Sequence, residues 1–126
     1  MIVADTDVLI DFLAGVDPAA QRIALELESG DLGTTAVNRF ELLAGAKATR
    51  QRRAVQELLA GLATLPLDAD AADAAASVRR ELEGKGSGIG MADSLIAGIA
   101  LVNDAILLTR NRRHFERVPR LHLGNL

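Results

Sequence analysis

Apolar positions along this chain fall into short compact runs that alternate with stretches of three-to-four-residue spacing. Ile2 to Ala4 is a brief apolar run halted by Asp5-Thr6-Asp7, which reads as a strand feeding a capped helix from Val8 to about Leu13. Gly15 and Pro18 break that helix. Helical spacing resumes over Gln21 to Glu28, and Ser29-Gly30-Asp31 stops it. Leu32 to Thr35 is a candidate strand. Val37, Phe40, Leu42 and Leu43 mark a helix ending near Gly45, and a more polar helix runs from about Thr49 to Ala60, closed by Gly61. Ala63 to Leu67 contains Pro66, so it is at most a short edge strand.

Asp68 to Glu83 is an Ala-rich helix whose exposed side carries Asp70, Arg79, Arg80 and Glu83. The flexible stretch Lys85-Gly-Ser-Gly-Ile-Gly90 leads into a strongly apolar helix from Met91 to about Val102. Ala105 to Thr109 follows as a buried strand, Asn111 to Phe115 as a helical turn, and Leu121 to Leu123 as a last edge strand. Strands alternating with helices predict a parallel sheet covered on both faces.

Length and composition narrow the picture. A chain of 126 residues suits one domain, 1–126, with no repeat or low-complexity linker to divide it. Only Phe12, Phe40 and Phe115 are aromatic, so the core is packed from aliphatic side chains. There is no cysteine, which excludes a disulfide scaffold and a thiolate metal site. The first residues lack the basic region of a signal peptide, and the most apolar tract, Leu95 to Leu108, is too short for a bilayer and is interrupted by Asn103 and Asp104. A soluble cytoplasmic protein is the plain expectation. The net charge of −3 runs against nucleic-acid binding, but the basic residues are clustered. One cluster holds Lys47, Arg50, Arg52 and Arg53; the other holds Arg110, Arg112, Arg113, Arg117 and Arg120.

Three acids stand where chemistry is expected. In an open parallel sheet, ligands bind beyond the carboxyl ends of the strands, where Asp5 sits. Asp93 occupies the third position of its helix, facing the positive end of the helix dipole. Glu41 has apolar neighbours in a helix that reads as largely buried, and an acid there needs a partner. Each has a simpler account: Asp5 as a helix cap, Asp93 as a first-turn acid, Glu41 as the edge of an amphipathic face. Together they suit a shared site for a hard cation.

The motifs around these acids resemble those of PIN domains. Val3-Ala-Asp-Thr-Asp-Val-Leu-Ile10 is similar to the first motif, and Thr35-Ala-Val-Asn-Arg-Phe-Glu-Leu-Leu-Ala-Gly45 to the second, with Glu41 as its acid. Ile89-Gly-Met-Ala-Asp-Ser-Leu-Ile-Ala97 is similar to the third, with Asp93, and the segment from Leu107 to Pro119 to the last. All four occur in family order across nearly the whole chain, most like the toxins of VapC type. The resemblance implies a three-layer α/β/α sandwich around a mostly parallel sheet. It implies Mg²⁺ or Mn²⁺ on Asp5 and Asp93, and catalysis of RNA hydrolysis by Asp5, Glu41 and Asp93. Glu41 would complete the cluster through water or orient the attacking water. Where many members carry a fourth acid, this chain offers Asn111 and His114. The resemblance further implies an antitoxin partner and a homodimer, for which the helices near Val37–Ala46 and Val55–Leu62 are candidate surfaces. Arg110, Arg112 and Arg113 are expected to hold the RNA backbone.

Two other readings compete. Asp5-Thr-Asp7 resembles the nucleophile motif of haloacid dehalogenase-like phosphatases, although the only lysines are Lys47 and Lys85 and no late paired-Asp motif follows. The fold could also serve as a non-catalytic binding module.

Overall fold

The computed structural model describes residues 1–126. Strand β1 (Ile2–Ala4) leads into helices α1 (Thr6–Ala14) and α2 (Ala19–Ser29), then β2 (Leu32–Thr35). Helices α3 (Ala36–Gly45) and α4 (Thr49–Ala60) precede β3 (Ala63–Leu65). Helices α5 (Ala69–Gly84) and α6 (Met91–Val102) lead to β4 (Ile106–Leu108), the short α7 (Arg112–Phe115) and β5 (His122–Leu123). The strands form one sheet in the order β3-β2-β1-β4-β5, and every pairing is parallel. The predicted sandwich is therefore present. No helix is long and apolar enough to cross a membrane.

Strand periodicity sorts the core into two layers. Successive strand side chains point to opposite faces. Val3 and Leu107 accordingly join one cluster with Val78, Leu82, Ile96 and Phe115, from α5, α6 and α7. Their neighbours Ala4 and Leu108 join the other, with Val8, Ile23, Leu42 and Leu59, from α1 to α4. Burying an aliphatic side chain contributes about 1.5–3 kcal/mol, so each face is a substantial source of stability. The α5–α6 pair approaches unusually closely. A side chain at Gly98 would meet the Ala71 carbonyl oxygen at 2.6 Å and the Ala75 nitrogen at 2.7 Å. Only glycine fits there.

Burial differs from the hydrophobic pattern at several places. Helix α3 buries only Asn38 and Leu42, and Phe40 is 70% exposed, so its apolar residues do not mark a buried helix. In α4 and the turn after it, Val55, Leu58, Leu59 and Leu62 pack into the chain's own core cluster, and the exposed surface of this helix belongs to its other residues. The stretch expected as a buried strand, Ala105 to Thr109, is interrupted by Ile106 at 39% exposure, with Ala105 and Leu107 buried on either side of it.

The fold places the site through β1. This central strand has β2 on one side and β4 on the other, so the chain leaves it in both directions along the sheet. Such a switch point parts the following loops and opens a crevice at the carboxyl ends.

Candidate active site

Asp5 follows the last residue of β1, and its backbone N–H extends the ladder to the Leu108 carbonyl at 2.9 Å. Its side chain is 7% exposed and accepts three hydrogen bonds. Oδ1 accepts from the Thr6 N–H at 2.9 Å and from Asn38 Nδ2 at 2.7 Å, and Oδ2 from the Thr109 hydroxyl at 2.6 Å. Asp5 is thus the N-cap of α1, as its position suggests, but two of its three donors come from other elements. A cap alone does not need them.

Asn38 is the joint between β2 and β1. It is completely buried. Thr35, the N-cap of α3, accepts from the Asn38 N–H at 3.1 Å and donates its hydroxyl to Asn38 Oδ1 at 2.7 Å. That contact leaves the amide nitrogen to point at Asp5 and, at 2.9 Å, at the Thr6 hydroxyl. Thr6 in turn donates to Glu41 Oε1 at 2.7 Å. Asn38 and Glu41 are three residues apart on α3, hence on one helix face.

The other branch starts at Thr109, directly after β4. Its Oγ1 accepts from the Asn111 N–H at 3.0 Å. The Asn111 side-chain amide lies 3.3 Å from Asp93 Oδ2 and 3.0 Å from His114 Nδ1, and that imidazole nitrogen is 3.0 Å from the same Asp93 oxygen. Asp93 makes no capping bond to α6. It is a first-turn acid of α6, as its position suggests, and its carboxylate also reaches Asn111 and His114 at α7.

A single chain of contacts therefore runs from Glu41 through Thr6, Asn38, Asp5, Thr109 and Asn111 to Asp93 and His114. It joins the three acids singled out from the sequence with both residues of the fourth position. No buried side-chain polar atom of the chain lacks a partner. Asn38 and Thr109 were not foreseen. The one available signal for Asn38 was a polar residue three before Glu41, on its face of the helix.

The three acids are held by neutral hydroxyl and amide donors, with no Lys or Arg bridge to any of them; His114 is the one basic partner, on Asp93. Nearby positive charge is committed elsewhere. Arg110 pairs with Asp11 at 2.8 Å, and Arg112 donates to the Gly124 carbonyl at 2.7 Å and faces Glu116 at 3.6 Å. Arg113 is exposed and joins none of these contacts. Asp7 borders the cluster and accepts from the Arg110 N–H at 3.1 Å. Burial raises the Asp7 pKa above its ordinary 3.8, the Asp5 carboxylate adds to the rise, and the Arg110 N–H and charge partly offset it.

The donor set fits a hard divalent cation. A carboxylate offers about four acceptor sites, so Asp5 keeps one beyond its three donors. Asp93 Oδ1 and Glu41 Oε2 are not used in the hydrogen bonds above. No three acidic or imidazole side chains are grouped to hold a metal ion by themselves. An ion here would take one or two carboxylates and keep several waters, a shell that Mg²⁺ tolerates.

Residues 2–121 match the profile of the PIN domain. The chain is 36% identical over 121 residues to "Ribonuclease VapC10" of Mycobacterium tuberculosis, covering 96% of this chain and 90% of that one. It is 32% identical over 118 residues to the "tRNA(fMet)-specific endonuclease VapC" of Shigella flexneri, covering 90% and 89%. Among solved structures it resembles VapBC2 of Rickettsia felis, bound there to a promoter DNA fragment. The TM-score is 0.88 at 26% identity, covering 100% of this chain and 99% of that one.

Proposed function

The chain belongs to the PIN-domain family, among its VapC ribonucleases, and from that membership and the site geometry we propose that it is a metal-dependent endoribonuclease, the toxin of a toxin–antitoxin pair. The observation that carries the reading is the unbroken polar chain joining Asp5, Glu41 and Asp93 where β1, β2 and β4 deliver their ends. A site that assembles three carboxylates with no Lys or Arg among their partners suits a cation.

Asp5 and Asp93 would hold the ion, and Mg²⁺ or Mn²⁺ bound there supplies an activated water and charge stabilisation at the phosphate. Asn38 and Thr109 fix the Asp5 carboxylate so that it need not reorganise when substrate arrives. Glu41, steadied through Oε1 by Thr6, presents its other oxygen to orient or accept a proton from the attacking water. EDTA is expected to abolish cleavage of single-stranded or loop RNA, and Mg²⁺ or Mn²⁺ to restore it; undiminished cleavage in EDTA would refute the reading. The phosphatase alternative lacks its phosphate-binding lysine. Lys85 pairs with Glu81 at 3.6 Å on α5, and Lys47 stands exposed before α4.

Arg113 is the basic residue we assign to the RNA backbone first, since Arg110 and Arg112 already have partners within the fold. Arg113→Gln should reduce the salt slope of RNA binding by about one unit, as expected for one lost phosphate contact. An unchanged slope would make Arg113 plain solvated surface.

The antitoxin has an apolar groove of about 440 Å³ between α1, α3 and α4, lined by Ile10, Leu13, Leu42 and Val55, with Arg50 on its wall and Glu41 at its edge. An amphipathic helix laid there would bury Ile10 and Leu13, now 50% and 40% exposed, and stand beside a catalytic carboxylate. With an antitoxin encoded beside this chain, Leu13→Asp should weaken binding and relieve inhibition; full inhibition of that variant would place the partner elsewhere. A homodimer would cover Phe40 on α3, and sedimentation of a monomer at micromolar concentration would exclude it.

A further inference from the structure

Arg110 stands between the two residues that reach the acids from the β4 side. Thr109 donates to Asp5, and Asn111 reaches Asp93. Both depend on the path of the chain as it leaves β4. Up to that point the parallel ladder sets the path: the Ile106 N–H donates to the Met1 carbonyl at 3.0 Å. Four residues on, the same register would bring the Arg110 N–H to the Asp5 carbonyl. That carbonyl already accepts the Leu9 N–H, at 3.2 Å, where α1 begins. The Asp7 carboxylate takes its place and accepts the Arg110 N–H, at 3.1 Å to Oδ2 and 3.3 Å to Oδ1.

The Arg110 side chain repeats the tie one turn further along α1, where its Nε lies 2.8 Å from Asp11 Oδ2. Asp7 and Asp11 are four residues apart, so they share one face of the helix. A single residue of the link between β4 and α7 is thus gripped twice by α1, once by its backbone and once by its guanidinium. The Asp11 side chain is only 15% exposed. An acid so enclosed needs its partner, and a short charge-assisted contact there holds more firmly than an open surface pair.

We propose that Arg110 is a positioning residue for RNA hydrolysis: anchored on Asp7 and Asp11, it fixes the 109–111 link and so the placement of Asp5 relative to Asp93. This role rests on the ribonuclease reading above and deepens it. Asp5 stands at the end of β1, and Asp93 arrives separately on α6. The 109–111 link touches both. A misplacement of about 1 Å in an active site costs up to about 100-fold in rate. A link free to shift therefore lowers kcat, while substrate contacts elsewhere, and with them KM, stay as they are.

The test uses the purified full chain and the variants Arg110→Gln, Arg110→Lys, Asp11→Asn and the double variant Arg110→Gln/Asp11→Asn, with thermal melts confirming that each is folded. In Arg110→Gln and in Asp11→Asn, kcat should fall about tenfold with KM within about twofold of wild type. The double variant should be no slower than either single one, because each removes the same contact. Arg110→Lys keeps the charge and should recover most of the rate. In the metal-free protein without RNA, amide hydrogen exchange at Arg110 and Asn111 should quicken about tenfold in Asp11→Asn, while exchange in the core strands is unmoved. Were Arg110 an RNA contact instead, Arg110→Gln would raise KM and lower the salt slope of binding by about one unit, with kcat unmoved in Asp11→Asn. That pattern, or unchanged exchange in Asp11→Asn, overturns the positioning role and leaves the proposed function standing. A wild-type chain that cuts no RNA overturns both.

Discussion

Asp93→Asn is expected to cut RNA at least about 100-fold more slowly than wild type while keeping its fold. The rate loss corresponds to about 3 kcal/mol of transition-state stabilisation, the scale on which a metal site contributes by stabilising developing charge. The fold survives for reasons visible in the contacts. Asp93 caps nothing, its side chain is partly exposed at 23%, and an Asn in its place retains an oxygen for His114 or Asn111. Removing one charge relieves repulsion within the acid cluster. Against that stands a lost charge–dipole attraction at the start of α6, worth about 0.3–1 kcal/mol. The two nearly cancel, so without metal the variant should melt within a few degrees of wild type. Excess Mg²⁺ or Mn²⁺ should raise the wild-type melting temperature, since an ion at 100 times its Kd stabilises the folded form by about 2.7 kcal/mol. The variant should gain little. An apo Asp93→Asn protein that melts many degrees below wild type would mean that the carboxylate is chiefly structural.

The largest stability effect is expected far from the chemistry, at Gly98. Helix α6 lies against α5 so closely that a β-carbon at 98 would sit 2.6 Å from one backbone oxygen and 2.7 Å from a backbone nitrogen of α5. Backbone atoms in a helix cannot step aside as a side chain can. Gly98→Ala therefore forces the helices apart, a cost of about 1–3 kcal/mol for overpacking that outweighs the helix-propensity gain of about 1 kcal/mol. Gly98→Val adds bulk to the same clash, and its melting temperature should fall by on the order of 10 °C, at roughly 3–5 °C per kcal/mol for a chain of this size. A Gly98→Val protein that melts within 2 °C of wild type would show that the α5–α6 seam is able to open. Because Asp93 sits five residues earlier on the same helix, Gly98→Ala should also lose some activity even where it remains folded.

Most boundaries were legible because glycine punctuates them. Gly30 ends α2 at a positive φ of 77°, Gly61 follows α4, and Gly90 precedes α6, so β2, α4 and α6 fall where the hydrophobic pattern puts them. Two of the acids were legible for a related reason, Asp5 at the end of a strand and Asp93 near the start of a helix, and Glu41, in the middle of α3, was marked by its apolar neighbours. What joins them was not. Asn38 and Thr109 are single neutral residues inside apolar surroundings, and nothing in their spacing distinguishes a buried link from an ordinary surface polar group. Their roles depend on β1 lying between β2 and β4, a pairing order that local pattern does not encode. Helix α3 misled for the opposite reason. Its four apolar residues suggested burial, but Phe40 projects outward and the buried stripe is Asn38 with Leu42.

The order of the strands also divides the labour of the molecule between its middle and its margins. Every acid-bearing contact issues from the ends of β1, β2 and β4, or from the helices that follow or precede them, while the outer strands β3 and β5 contribute nothing to the polar chain. Those margins are short, three and two residues, and each is fastened along one side only. Insertions, deletions or charge changes in the loops beside them can reshape the rim that meets a substrate without moving a carboxylate. A lineage built on this plan can change which RNA it cuts by editing its borders, and its chemistry is carried along unchanged.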